Sequence, residues 1–353
     1  MMDSAIQAPL LCIVVPPCQV CTAPALLYPS ATAAALSPYT PAMAGLNELQ
    51  RRLRRLAEER DAVILAHNYQ RPEVQDAADY TGDSLELSRI AAKDPRSVIL
   101  FCGVHFMAET AYILAPQKTV LMPDKRAGCP MADMATVHGV RDLKKQHPDA
   151  VVVSYVNTSA DIKAETDVCC TSANAVKIVE QFPRDQKIIF VPDRNLGDYV
   201  ARQTGREDTM ILWQGWCHVH DDFRAAEIRE IQAENPDAVL MAHPESRREV
   251  LEIADVVTST SGMLRYPGTS DAKTFIVATE TGLLYRLGIL YPDRKFIPAS
   301  PNAVCPNMKR TTLEKAVATL DDEWDDVLDH EVTVAPRIRE AALRAVQRML
   351  DVG

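Results

Sequence analysis

Apolar residues fall along this chain in short runs separated by amphipathic stretches. Leu46, Leu49, Leu53 and Leu56 recur at helical spacing and predict one helix, which leads straight into DAVILAHNYQ at 61–70. The same order, amphipathic helix then apolar run, returns in RDLKKQHPDAVVVSYVNTS and again in RAAEIREIQAENPDAVLMAHPES. Two further apolar runs follow in each unit. They are VILFCG (98–103) and TVLMPDK (119–125), then KIIFVPD (187–193) and TMILWQG (209–215), then KTFIVAT (273–279) and KFIPAS (295–300). Helix-like segments such as FMAETAYILA and NLGDYVARQ lie between them. Continuous apolar runs alternating with helices predict parallel strands buried on both faces, with right-handed crossovers placing helices on either side. Each unit therefore reads as an α/β layer of three strands. The whole reads as three such αβα domains related by an approximate threefold axis.

The repeat has a register. Asp-Ala-Val occurs at 61–63, 149–151 and 237–239, a spacing of 88 both times. Sixty-eight residues beyond each Asp stand Cys129, Cys217 and Cys305, in the loops AGCPMAD, GWCHVHDDF and AVCPNMK. With six other cysteines among the nine in the chain, chance does not readily place three at one offset. Six residues beyond the same Asp come His67, Tyr155 and His243, and eight beyond come Tyr69, Asn157 and Glu245. Ser84, Ser172 and Thr260 share a third offset, each ahead of a helix-like segment. All of these positions follow predicted strands, and ligands of open parallel sheets bind beyond the carboxyl ends of strands.

Composition narrows the chemistry. The chain of 353 residues has a formal charge of −10, which disfavours a nucleic-acid or anionic membrane surface, and no run is long enough to span a bilayer. The first 44 residues contain no Lys or Arg and are rich in Ala, Pro and Thr. They predict a disordered extension or a start assigned too early, and Cys18-x-x-Cys21 within them lacks the second pair that a metal site needs. The boundaries expected are 45–145, 146–233 and 234–353, the last including C-terminal helices. An odd number of cysteines in a long chain without a secretory leader suits a reducing, cytoplasmic setting.

A hydroxyl before a helix ordinarily caps it, but three in register also offer an anion site that needs no Lys or Arg. Cys102, Cys169 and Cys170 read as buried apolar residues. The three loop cysteines would meet on the pseudo-threefold axis as a metal site. Structural zinc would take a fourth ligand, which His220 supplies. A cubane iron–sulfur cluster on three thiolates would instead keep one open iron, a Lewis acid suited to dehydration.

The motifs HNYQ (67–70), GDS (82–84), YVN (155–157), CTSANA (170–175), GWCHVH (215–220), HPE (243–245), STSGM (259–263) and CPNMKRTTLE (305–314) resemble those of the quinolinate synthases. The resemblance covers roughly residues 46–350. It implies three Rossmann-like domains around a [4Fe–4S] cluster on Cys129, Cys217 and Cys305. It also implies condensation of iminoaspartate (iminosuccinate) with dihydroxyacetone phosphate to quinolinate, phosphate and water, in de novo NAD synthesis. The iminoaspartate contacts it implies are His67, Ser84, Tyr155, Val156, Asn157, Ser172, His243, Pro244, Glu245 and Thr260. Tyr69 and Glu245 are the implied acid–base pair, with His243 beside them, and an aspartate-oxidising enzyme is the implied source of the imine. Some relatives carry extra cysteines beside the last ligand; none follows Cys305 here. The alternative from the residues alone is a non-catalytic small-molecule binding protein with a structural Cys3His zinc.

Overall fold

A computed structural model describes residues 45–321 and 328–352. The extension 1–44, with Cys18 and Cys21, lies outside the described residues. Three four-stranded parallel sheets make up the fold. The first contains β1 (Ala62–His67), β2 (Tyr80–Gly82), β3 (Val98–Cys102) and β4 (Thr119–Leu121). The second contains β5 (Val151–Tyr155), β6 (Val168–Cys170), β7 (Ile188–Val191) and β8 (Met210–Leu212). The third contains β9 (Val239–Ala242), β10 (Val256–Val257), β11 (Thr274–Ala278) and β12 (Lys295–Pro298). In each sheet the order is second, first, third, fourth, so chain direction across the sheet reverses between the first and third strands. Beyond the carboxyl ends at such a reversal the flanking loops part and leave a crevice.

Each sheet has one strand more than the apolar runs predict. β2, β6 and β10 are two or three residues long, too short to leave a periodic signature. What fixes them is an aspartate just before each: Asp79, Asp167 and Asp255, again 88 apart. The main-chain N–H of each donates to the carbonyl of Ile64, Val152 or Leu240, all at 3.0 Å. Its carboxylate accepts the N–H of that same residue, at 2.9, 2.8 and 2.8 Å. The aspartate thus clamps the start of the short strand to the central one from both sides. Asp167→Ala leaves the buried Val152 N–H without its acceptor and is expected to cost about 1–3 kcal/mol. A urea midpoint equal to wild type would refute this role.

Alternation along the central strands divides the interior. Val63, Leu65, Ile99 and Phe101, with Val153, Ile188, Phe190, Met241, Phe275 and Val277 of the other sheets, share one core between the units. The opposite faces are covered by helices, as where Ile64, Ala66 and Leu100 meet Leu53 and Ala57 of helix Glu48–Glu59. That helix is started by a capping box of Asn47 and Gln50. The C-terminal segment leaves the third sheet. Helix Leu313–Asp321 packs on helix Glu48–Glu59, and helix Pro336–Val352 packs on helix Ala160–Ala164 and β6. No helix among the described residues is long and apolar enough to cross a membrane.

Candidate active site

The carboxyl ends of the strands surround one cavity of about 780 Å³, its mouth included. Each offset set lines it completely. His67, Tyr155 and His243 do so, as do Tyr69, Asn157 and Glu245. Ser84, Ser172 and Thr260 line it too, and so do Cys129, Cys217 and Cys305. Val156 and Pro244 are not among the lining residues; the Val156 N–H donates to the carbonyl of Cys170 at 2.8 Å. Among the described residues, no Lys or Arg lines the wall.

The hydroxyl set departs from expectation in two ways. Asp83 caps helix Ser84–Lys93 and Ser259 caps helix Thr260–Arg265, so the Ser84 and Thr260 side chains are not the caps. Ser172 does not start a helix. The Asn174 carboxamide accepts the Thr171 N–H at 2.8 Å and closes a turn, which delays the helix to Ala175–Glu180. Two helix starts and one turn face the cavity where three helix starts were expected.

One local turn recurs at the histidines. The Tyr69 N–H donates to His67 Nδ1 at 3.1 Å, and the Glu245 N–H donates to His243 Nδ1 at 3.4 Å. Burial lowers both imidazoles to about 3, so each ring is neutral, accepts at Nδ1 and carries its proton on Nε2. Two N–H donors are thereby available to a ligand from rings fixed by their own main chain.

A hydrogen-bonded chain crosses all three units. Tyr69 Oη lies 2.5 Å from Thr279 Oγ1, and Thr279 Oγ1 lies 2.9 Å from His220 Nε2. His220 Nδ1 lies 2.9 Å from Glu245 Oε2, and the Tyr155 hydroxyl donates to Glu245 Oε1 at 2.5 Å. One proton arrangement satisfies every member. Tyr69 donates to Thr279, Thr279 to His220 Nε2, and both His220 Nδ1–H and Tyr155 donate to Glu245. Burial opposes ionisation of Glu245, yet His220 and the Tyr155 hydroxyl, both hydrogen-bonded to it, hold it well below the usual carboxylate range. Burial, and then the Glu245 charge, push both phenols well above theirs. The chain therefore has a charged acceptor near one end and strongly held protons at both. Thr279 is fully buried and lies outside the repeat offsets; its one sequence signal is its place immediately after a strand.

The cysteines share a setting. Cys129 precedes helix Pro130–Met134, Cys217 precedes helix His218–Asp221, and Cys305 precedes the turn Met308–Arg310. Main-chain N–H groups just downstream point at each sulfur: those of Met131 and Ala132, of His220, and of Asn307 and Met308. Gly215 belongs to the second of these loops because a side chain there would collide with the Pro192 carbonyl. Burial nonetheless raises all three thiols, Cys129 to about 12. Main-chain donors at each sulfur favour its thiolate form, and Lys309 adds a smaller contribution at Cys305, so the three loops suit sulfur acting as a metal ligand. Among the described residues, the donor atoms of Cys217, His220 and Glu245 lie within 4.8 Å of one another, and no trio containing two of the three thiols closes to that distance. Cys102, Cys169 and Cys170 are buried in strands, as expected.

The profile of the quinolinate synthetase A protein family matches residues 51–351. Proteins named quinolinate synthase align over most of this chain. That of Desulforudis audaxviator is 52% identical over 308 residues, covering 87% of this chain and 97% of its own. That of Geobacter metallireducens is 52% identical over 310 residues, 86% and 97% of the two chains. That of Caldicellulosiruptor bescii is 47% identical over 305 residues, 86% and 98%.

Proposed function

The chain belongs to the quinolinate synthetase A family, and from that premise we propose that it condenses iminoaspartate with dihydroxyacetone phosphate to quinolinate, phosphate and water, using a [4Fe–4S] cluster on Cys129, Cys217 and Cys305. It is an enzyme acting on small molecules, which sets aside the non-catalytic binding protein. The observation that carries the proposal is that three thiols, one from each unit, face a single cavity together with Tyr69, Tyr155, His220 and Glu245, four members of a hydrogen-bonded chain completed by the buried Thr279.

The donor set fits a cluster better than one zinc. A single zinc with Zn–S bonds near 2.3 Å brings its sulfurs to within about 4 Å of each other. These thiols do not gather at that spacing, and a cubane spreads its ligands more widely. When bound, the cluster supplies an open iron as a Lewis acid toward substrate oxygen.

The protein's own groups do the rest. Hydroxyls of Ser84, Ser172 and Thr260 bind the carboxylates of iminoaspartate. Asn157 Oδ1 is buried without a partner and accepts from the imine N–H. His67 and His243 donate Nε2–H to substrate oxygens. Glu245 accepts the proton released in carbon–carbon bond formation, with Tyr155 and His220 stabilising its charge. Tyr69 supplies a proton to a departing hydroxyl and recovers it through Thr279 and His220. Among the described residues the cavity wall holds no Lys or Arg, so anion binding rests on hydrogen bonds of defined direction.

We assign the imine to an aspartate-oxidising enzyme in the same cytoplasmic compartment. Anaerobic treatment with iron and sulfide is expected to give a brown protein that forms quinolinate from the two substrates. A colourless protein carrying one zinc would overturn the proposal. Ser84→Ala and Thr260→Val are each expected to raise KM by the equivalent of about 1.5–3 kcal/mol, one hydrogen bond to a charged group. Unchanged KM in both would remove these hydroxyls from the binding site.

A further inference from the structure

The three cysteine loops are not equivalent behind the sulfur. In each unit an N–H following the third strand donates to the carbonyl two residues before the cysteine. These pairs are His105 to Ala127 at 2.8 Å, Arg194 to Gly215 at 2.8 Å and Thr281 to Ala303 at 2.9 Å. The residue preceding each donor therefore occupies one structural position three times: Val104, Asp193 and Glu280. In the second and third units it is a carboxylate with no exposed surface. Asp193 Oδ2 accepts the Cys217 N–H at 3.2 Å, and Glu280 Oε1 accepts the Cys305 N–H at 3.1 Å. In the first unit Val104 has no acceptor to offer Cys129.

Both carboxylates are themselves fixed. Asp193 Oδ1 accepts the Leu196 N–H at 2.8 Å and so also caps helix Arg194–Thr204. Glu280 Oε2 accepts the Gly282 N–H at 2.7 Å, and Lys309 Nζ stands 2.9 Å from Oε1. Lys309 Nζ also donates to the Tyr69 carbonyl, which ties the Cys305 loop to the first unit.

We propose that Asp193 and Glu280 are positioning residues for the cluster, each holding the main chain of one cysteine ligand so that its sulfur keeps its direction. The cluster is then seated firmly on Cys217 and Cys305 and less firmly on Cys129. The inference rests on the three-cysteine cluster of the proposed function and adds which residues behind the ligands determine its retention. Partners one bond removed from metal ligands commonly change metal affinity by about 10–100-fold when lost.

The test is anaerobic iron release from the reconstituted full chain to an iron(II) chelator, followed by absorbance, with the electron paramagnetic resonance of the reduced cluster as a second readout. Asp193→Leu and Glu280→Met, which lose the acceptor, are expected to release iron about tenfold faster or more and to alter the resonance spectrum. Asp193→Asn and Glu280→Gln keep an acceptor oxygen and are expected to fall between these and wild type. Should an apolar variant not fold, as judged by circular dichroism, the amide variants carry the comparison. Asp167→Ala loosens the second sheet away from the cysteine and is expected to release iron at the wild-type rate. Folded Asp193 and Glu280 variants indistinguishable from wild type, or an equal acceleration in Asp167→Ala, would overturn the inference alone. A wild type that takes up no cluster would overturn the proposed function and this inference with it.

Discussion

Cys217→Ser is expected to abolish quinolinate formation and cluster absorbance while leaving the apo protein folded. The residue sits in a loop ahead of a single helical turn, partly accessible, and its main-chain N–H is already satisfied by Asp193. A hydroxyl in place of the thiol therefore removes little packing. On the proposed function it also removes one of three thiolates, and with it the Lewis acid, whose contribution of several kcal/mol corresponds to a rate loss of at least about a thousandfold. Cys129→Ser sharpens the experiment. If the resident metal sat only on Cys217, His220 and Glu245, the compact donor group, Cys129→Ser would keep its metal. The cluster reading requires both variants to lose it. Activity surviving in either, or unfolding of both apo proteins in circular dichroism, would refute the assignment.

Glu245→Gln is expected to lower kcat by about 10²–10⁴ with cluster absorbance retained. Glu245 is buried and accepts from two fixed donors, Tyr155 Oη–H and His220 Nδ1–H. A carboxamide has one acceptor oxygen and one amide nitrogen that donates, so one of those donors meets another donor. The charge that takes up the substrate proton in the proposed function is lost as well. Because Glu245 raises the Tyr155 phenol, after burial, the variant should also bring Tyr155 nearer its ordinary value, visible as an earlier phenolate absorbance in an alkaline titration. Full kcat with an altered KM would recast Glu245 as a binding group.

Much of this arrangement is written in the repeat. The 88-residue register brings His67, Tyr155 and His243, or Cys129, Cys217 and Cys305, to one cavity because each unit carries the same strand-and-helix order and ends its strands at the same offset. The same register marks Asp79, Asp167 and Asp255, which explain the fourth strand of each sheet although β10 is only two residues long. Local pattern failed where a neighbouring side chain decides the outcome. Ser172 lies in a turn because Asn174 reaches back to Thr171, and the helix caps are Asp83 and Ser259 rather than the residues after them.

By itself the sequence determined three parallel αβα units and the residues that stand at their strand ends, because hydrophobic period and local spacing are properties of contiguous segments. Only the tertiary structure decided that Tyr69 reaches Glu245 through Thr279 and His220, and that two of three cysteines rest on buried carboxylates. Those contacts join residues up to 210 positions apart. They depend on how the inner faces of three sheets pack into one core, a relation that no spacing along the chain encodes.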